Sequence, residues 1–118
     1  MSQSTTLILL PQTTYQNPGN GAPYTVTGNS YPAAAYYIGG SDLQTVNLSA
    51  TNCTGNIIIQ ATLETTPMSD SDWFSVYETD LANSNVSTYT NITGNFVSMR
   101  AVVNSFQQGI VNYVNLSY

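Results

Sequence analysis

The stretch Asn56-Ile57-Ile58-Ile59-Gln60-Ala61-Thr62-Leu63-Glu64 decides the fold class. In an extended chain Ile57, Ile59, Ala61 and Leu63 fall on one side and Ile58, Gln60, Thr62 and Glu64 on the other. One apolar face and one wetter face is what a strand of an antiparallel sheet presents. The chain offers no comparable window with a sustained helical stripe.

The same period recurs on both sides of this stretch. Downstream, Val97, Met99, Ala101 and Val103 share a face, as do Ile110, Val114 and Leu116. Upstream, Gln44, Val46 and Leu48 form the inward set and Leu43, Thr45 and Asn47 the outward one. Shorter strands are expected at Leu7–Leu10, Tyr24–Thr27, Tyr36–Ile38, Trp73–Glu78 and Ser87–Ile92. Between them lie turn-forming residues: Asn17-Pro18-Gly19-Asn20-Gly21, Pro67 to Asp72, Asp80 to Asn85, and Asn104 to Gly109. The last of these reads as the loop of a hairpin. This pattern predicts an all-β protein, a single antiparallel β-sandwich of jelly-roll type with about eight strands. Residues 1–35 are expected to form an N-terminal arm and loop region, and residues 36–118 the sandwich core. Trp73, Ile57, Ile59, Leu63 and Val97 are the expected core anchors.

Charge is nearly absent. Only 7 of 118 residues are charged: Arg100 is the one basic residue, six are acidic, and the net charge is −5. An ordinary domain is about 25% charged. Asn, Gln, Ser and Thr together supply 49 residues instead. One cation cannot neutralise a row of phosphates, so neither nucleic acid nor an anionic membrane is an expected partner. The longest apolar run, Ala33 to Ile38, is far short of the roughly 20 residues of a spanning helix. The opening MSQSTTLILLPQ has no basic residue and too short an apolar stretch to read as a secretion signal.

Catalysis finds little to work with. The absence of His and Lys removes Ser-His-Asp and Cys-His arrangements, Cys/His zinc sites and Schiff bases. Cys53 is the single cysteine and reads as a small buried apolar residue. Glu64 and Glu78 could sit on adjacent strands, but a pair of carboxylates is weak grounds for a glycosidase. Asp70-Ser71-Asp72 lacks the glycine and the distal Glu of a Ca²⁺ loop and reads as a solvated turn. We therefore expect no enzyme and no cofactor. Thirteen aromatic residues among neutral amides could stack on sugars. Arg100 lies opposite the inward set of its strand and is expected to form one structural ion pair. Sheet edges are normally defended by charge, Lys above all, and this chain has almost none. That composition favours a surface covered by neighbours in a permanent assembly.

From Tyr36 onward the chain resembles virion structural proteins of tailed bacteriophages, especially cyanobacterial and marine phages. The resemblance is carried by Tyr36-Tyr37, Leu43-Gln44-Thr45-Val46, Thr54-Gly55-Asn56-Ile57-Ile58-Ile59-Gln60-Ala61-Thr62-Leu63, Pro67 with Asp72-Trp73-Phe74, Thr93-Gly94-Asn95-Phe96-Val97-Ser98-Met99-Arg100-Ala101-Val102-Val103 and Gly109-Ile110-Val111. It implies a compact β-sandwich in a head-decoration, neck or tail-fibre protein. The virion is then the expected location, after assembly in the host cytoplasm. Other copies of the chain and other virion proteins are the expected partners. In this reading Leu7, Ile8, Leu9 and Leu10 form an assembly arm that adds a strand to a neighbour. The alternative is a carbohydrate-binding module at a receptor-binding tip, with host surface glycans as ligands.

Overall fold

Six short strands are expected at Leu43–Leu48, Asn56–Glu64, Trp73–Glu78, Ser87–Ile92, Asn95–Val103 and Ile110–Tyr118; they join in pairs into three strands of 20 or 21 residues that run through the Asn, Ser and Gly between them. The computed structural model describes residues 6–35, 43–67 and 69–118. The strands are β1 (Thr6–Leu10), β2 (Thr13–Thr14), β3 (Tyr24–Thr27), β4 (Tyr31–Pro32), β5 (Leu43–Thr62), β6 (Trp73–Thr93) and β7 (Ser98–Ser117). The expected Tyr36–Ile38 strand lies outside the described residues. Among the described residues, all seven strands are antiparallel and belong to one hydrogen-bonded sheet. β5 is central, with β6 on one side and β7 on the other. The far side of β7 is lined in succession by β1, β2, β3 and β4.

The sheet is folded double, and the chain path requires it. Thr93, the last residue of β6, pairs with Leu43 at one end of β5, and Ser98, the first of β7, pairs with Thr62 at the other end. A straight 20-residue strand would hold those ends about 60 Å apart. Residues 94–97 can span only about 18 Å. The longest extent of the molecule is 48 Å and the shortest 18 Å, a thickness that fits two stacked layers. One layer contains β1, residues 43–50 of β5, 86–93 of β6 and 110–117 of β7. The other contains β3, β4, residues 55–62 of β5, 73–81 of β6 and 98–104 of β7. Asn29 N–H donates to Leu9 O at 2.9 Å, which joins the two layers along the β1/β3 side.

The crease is built from residues with left-handed backbone. Asn52 on β5, Asn83 on β6, and Ser105 and Gly109 on β7 have φ of 49°, 50°, 54° and 87°. Registers shift here between Ala50 and Gly55. Such bulges bend a strand without ending it. The inward residues of β5 accordingly change phase across the crease, from Gln44, Val46, Leu48 and Ala50 to Cys53, Ile57, Ile59 and Ala61. Asp80–Asn85 and Asn104–Gly109 are therefore strand interior, not loop and hairpin turn as expected. Their Asn, Ser and Gly residues serve the bend. At Gly109 a Cβ would overlap the carbonyl of Asn52.

Ile57 and Ile59 are fully buried, as their period predicts, with Val46, Leu48, Met99, Ala101, Val103, Phe106, Val114 and Leu116. Three expected anchors are elsewhere. Leu63 is 62% exposed because β5 ends at Thr62 and the alternation stops with it. Val97 precedes β7 and is half-buried; its N–H donates to Thr62 O and its carbonyl accepts from Ala33 N–H, both at 2.9 Å. Trp73 is half-buried on the outer face. Ile59 pairs with Tyr77 but Gln60 with Ser75, so Val76 is an extra residue that inverts the alternation before it reaches Trp73.

The boundary at residue 35 is also corrected. Leu9, Leu10, Ala33 and Ala34 are buried with the core, and β1–β4 belong to the same sheet. Two interactions seal the end where the layers meet. Gln44, 1% exposed, accepts from Ala34 N–H at 3.0 Å and donates from Nε2 to Ile92 O at 2.7 Å. Tyr118 Oη donates to Pro32 O at 2.8 Å.

Two sets of variants test this architecture by chemical denaturation. Gly109→Ala must either strain its backbone or displace Asn52, and is expected to cost at least about 2 kcal/mol. Gly19→Ala, with open space around it, is expected to stay within about 0.5 kcal/mol. Equal stability of the two would contradict the crease. Ile59→Ala is expected to cost about 2–5 kcal/mol, and Leu63→Ala no more than about 0.5 kcal/mol.

Candidate functional site

The charged residues placed on the strands all lie in the second layer. Six of the seven are Glu64, Asp70, Asp72, Glu78, Asp80 and Arg100; the seventh, Asp42, lies outside the described residues. Glu78 and Asp80 sit on the β6 half of the second layer, and Arg100 on its β7 segment. The strand segments of the first layer contain no charged residue. Its outer face is a neutral lattice of three cross-strand rows. Thr6, Ser117, Thr45 and Asn91 form the first; Ile8, Asn115, Asn47 and Tyr89 the second; Tyr113, Ser49 and Ser87 the third.

The rows follow from strict two-residue alternation, which sends Ser, Thr, Asn and Tyr outward while Val46, Leu48, Val114 and Leu116 fill the inside. Side chains bond along them: Thr6 Oγ1 and Ser117 Oγ at 3.2 Å, and Thr45 Oγ1 donating to Asn91 Oδ1 at 2.7 Å. Asn112 Nδ2 donates to Ser49 Oγ at 3.0 Å and to Thr51 Oγ1 at 3.1 Å. Within the middle row Ile8 is 51% and Tyr89 68% exposed, and the covered Oδ1 of Asn115 accepts no hydrogen bond. A covered acceptor without a donor is uncommon in folded proteins. This face can offer hydrogen bonds and apolar contact but no ionic attraction.

The second layer carries a different cluster. Arg100 on β7 pairs in register with Gln60 on β5, and its Nε donates to Gln60 Oε1 at 2.8 Å. Its guanidinium carbon lies 4.4 Å from the centre of the Trp73 ring on β6. Arg100 thus crosses three strands on the outer face, in contact with a neutral amide and an indole. One face of that ring is covered by the arginine and closed to a stacked sugar. Trp73 follows the 3₁₀ turn Asp70–Asp72. There Ser69 N–H donates to an Asp72 carboxylate oxygen at 3.1 Å, and Ser69 Oγ and Ser71 Oγ are 2.7 Å apart. These are the local turn contacts expected of the Ser-Asp sequence. Among the described residues no group of three or more His, Cys, Asp or Glu is placed to hold a metal ion.

The remaining sequence candidates are dispersed. Glu78 pairs with Ile58, whereas Glu64 is held by its N–H to Thr62 Oγ1, four residues along β5 from Ile58. That is about 13 Å along the strand, beyond the roughly 5–9.5 Å between the carboxylates of a glycosidase. Leu7, Ile8, Leu9 and Leu10 do not extend as an arm. They form β1, paired with Val114–Ser117 of the same chain, with Leu9 and Leu10 buried in its core. Three other aromatic rings pack together: Tyr15 stacks on Tyr24 at 5.5 Å and both contact Phe106. The neutral lattice was missed as a site because no single residue in it is distinctive. Its signal was the absence of charge from each of the strand segments that build it.

No protein-family model matches the chain, and no curated protein matches it. Among solved structures it is similar to the SPBc2 prophage-derived protein YomS. The two superpose with a TM-score of 0.60 over 98% of this chain and 91% of that one, at 16% identity. The likeness is one of fold.

Cys53 is fully buried, and burial pushes its thiol above its ordinary value of 9.0. The folded protein therefore keeps a proton that the unfolded chain releases above about pH 9, so stability contributed by the thiol is present below that pH and lost as pH rises through the folded value. Alkylation at neutral pH is expected to be slow in the native protein and fast in denaturant. Equal rates would place the thiol at the surface.

Proposed function

We propose that this chain is a structural protein of a phage particle, a non-catalytic module that decorates or stabilises the head or builds a neck or tail appendage. The observation that carries the proposal is the charge-free layer. Glu78, Asp80 and Arg100 lie on the other layer, and the strand segments of this one present neutral hydrogen-bonding groups without a charge. Burying such a face does not require desolvating ions, so it suits contacts that persist through changes of salt and pH. The likeness in fold to a prophage-derived protein supports the phage setting. The partners are then other virion proteins and other copies of the chain. Neither a cofactor nor nucleic acid enters this reading. A sugar-binding role would call for an open aromatic platform, and the Trp73 ring already has one face under Arg100.

Mass spectrometry of purified particles from a phage encoding the chain is expected to find it at a fixed stoichiometry. It should remain bound at about 1 M salt, where charges are screened within about 3 Å. Recovery only from the particle-free lysate would overturn the proposal. Release from particles by salt alone would refute the role of the neutral face.

A further inference from the structure

The edges of this sheet are defended unequally. Along the far side of β7 the edge is broken into β1–β4, pieces of 5, 2, 4 and 2 residues. Pro11, Pro18, Pro23 and Pro32 lie in or between them, and the Asn29 N–H to Leu9 O bond closes part of it. Short pieces and proline are the usual devices against edge-to-edge pairing. The other edge is β6, 21 residues long, which among the described residues pairs only with β5. Its first half carries Glu78 and Asp80 on the exposed side. Its second half, Val86-Ser87-Thr88-Tyr89-Thr90-Asn91-Ile92-Thr93, has no charge, no proline and no glycine, and is rich in β-branched residues. It has every property of a strand that pairs and none that prevents pairing.

We infer that residues 86–93 of β6 are the contact through which two copies of this chain pair, antiparallel, about a two-fold axis at Tyr89. The inference rests on the assembly reading above and names the surface and occupant. A second copy fits because an antiparallel edge is its own complement under a two-fold axis. An axis perpendicular to the sheet keeps outward residues opposite outward residues. Centred on Tyr89, it sets Tyr89 beside its counterpart and Ser87 beside Asn91 on the outer face. On the inner side it sets Thr88 beside Thr90, and half-buried Val86 beside Ile92, extending the apolar layer. Cross-strand aromatic, Thr–Thr and aliphatic pairs are favourable. The acids Glu78 and Asp80 lie beyond the Asn83 crease and stay away from the contact. The two neutral layers join into one eight-stranded layer, and the charged halves flank it.

Sedimentation equilibrium of the full chain is expected to give twice the 12.7 kDa of the monomer, with dissociation on dilution. The double variant Ser87→Lys and Asn91→Lys places like charges across the axis on exposed positions. It is expected to be monomeric and still folded, with one cooperative unfolding transition at a midpoint lowered only by the lost association and the lost Thr45–Asn91 bond. Tyr89→Cys is expected to oxidise to a disulfide-linked dimer, while Ser75→Cys on the other half of the same edge does not; buried Cys53 gives no background. A dimer untouched by the lysines, or cross-linking equally at both cysteines, would overturn this contact. A wild-type monomer at all concentrations would overturn it too. The assembly reading fails separately, by absence of the chain from particles.

Discussion

The fold depends on a close approach of backbones at the crease. The left-handed Gly109 on β7 lies against the carbonyl of Asn52, itself left-handed, on β5. Asn83 continues the line on β6, its N–H bonded to Thr54 Oγ1 at 2.9 Å and its Oδ1 accepting from Gln108 Nε2 at 2.8 Å. Asn52 N–H in turn donates to Asn85 Oδ1 at 2.8 Å. At a bend the ladder gives up regular pairing, and neighbouring side chains, the Thr54 hydroxyl and the Asn85 amide, take over the freed N–H groups. Because all three long strands turn at this line, each strand contributes to both layers, and Leu9, Ile59, Phe106 and Leu116 can share one core.

The neutral surface has a related origin. Once each strand serves two layers, its sequence alternates on either side of the crease, and the outward positions are free to vary. In the second layer they include acids and Arg100; in the first they are Ser, Thr, Asn and Tyr with Ile8 and Leu43, and none is charged. That asymmetry is the observation on which the proposed assembly role rests. A face held by Thr45, Asn91, Ser49 and Asn112 is already ordered by its own hydrogen bonds, so covering it costs little further side-chain entropy.

Much of this was legible in the sequence. The inward sets Gln44–Val46–Leu48, Ile57–Ile59–Ala61 and Met99–Ala101–Val103, and the short strand Tyr24–Thr27, follow from period two alone. What was not legible was continuity. Asn83, Ser105 and Gly109 have the chemistry of turns, and local chemistry does not distinguish a bulge that bends a strand from a turn that ends it. Trp73 illustrates the same limit: one extra residue at Val76 sends a large ring outward, and nothing in the composition of the segment marks that residue. The arm at Leu7–Leu10 was read as reaching a neighbour because its partner, 111 residues away at the Thr6–Ser117 contact, is invisible to any local window. The outward direction of Arg100 could be read, but its contacts with Gln60 and Trp73 depend on a register fixed by the crease.

That long-range pairing has a consequence for how the chain reaches its structure. β1 and β7 are nearly the whole described chain apart, and β5 and β7 pair only after β6 has been traversed. Loop closure over such distances precedes the contacts that reward it, which makes folding slow relative to a protein of local contacts. During synthesis the β5–β6 hairpin can form first, but Leu9, Leu10, Val46 and Ile59 have no cover until β7 emerges and inserts between β1 and β5. The molecule closes with its last strand, and until then the nascent chain carries an open apolar sheet.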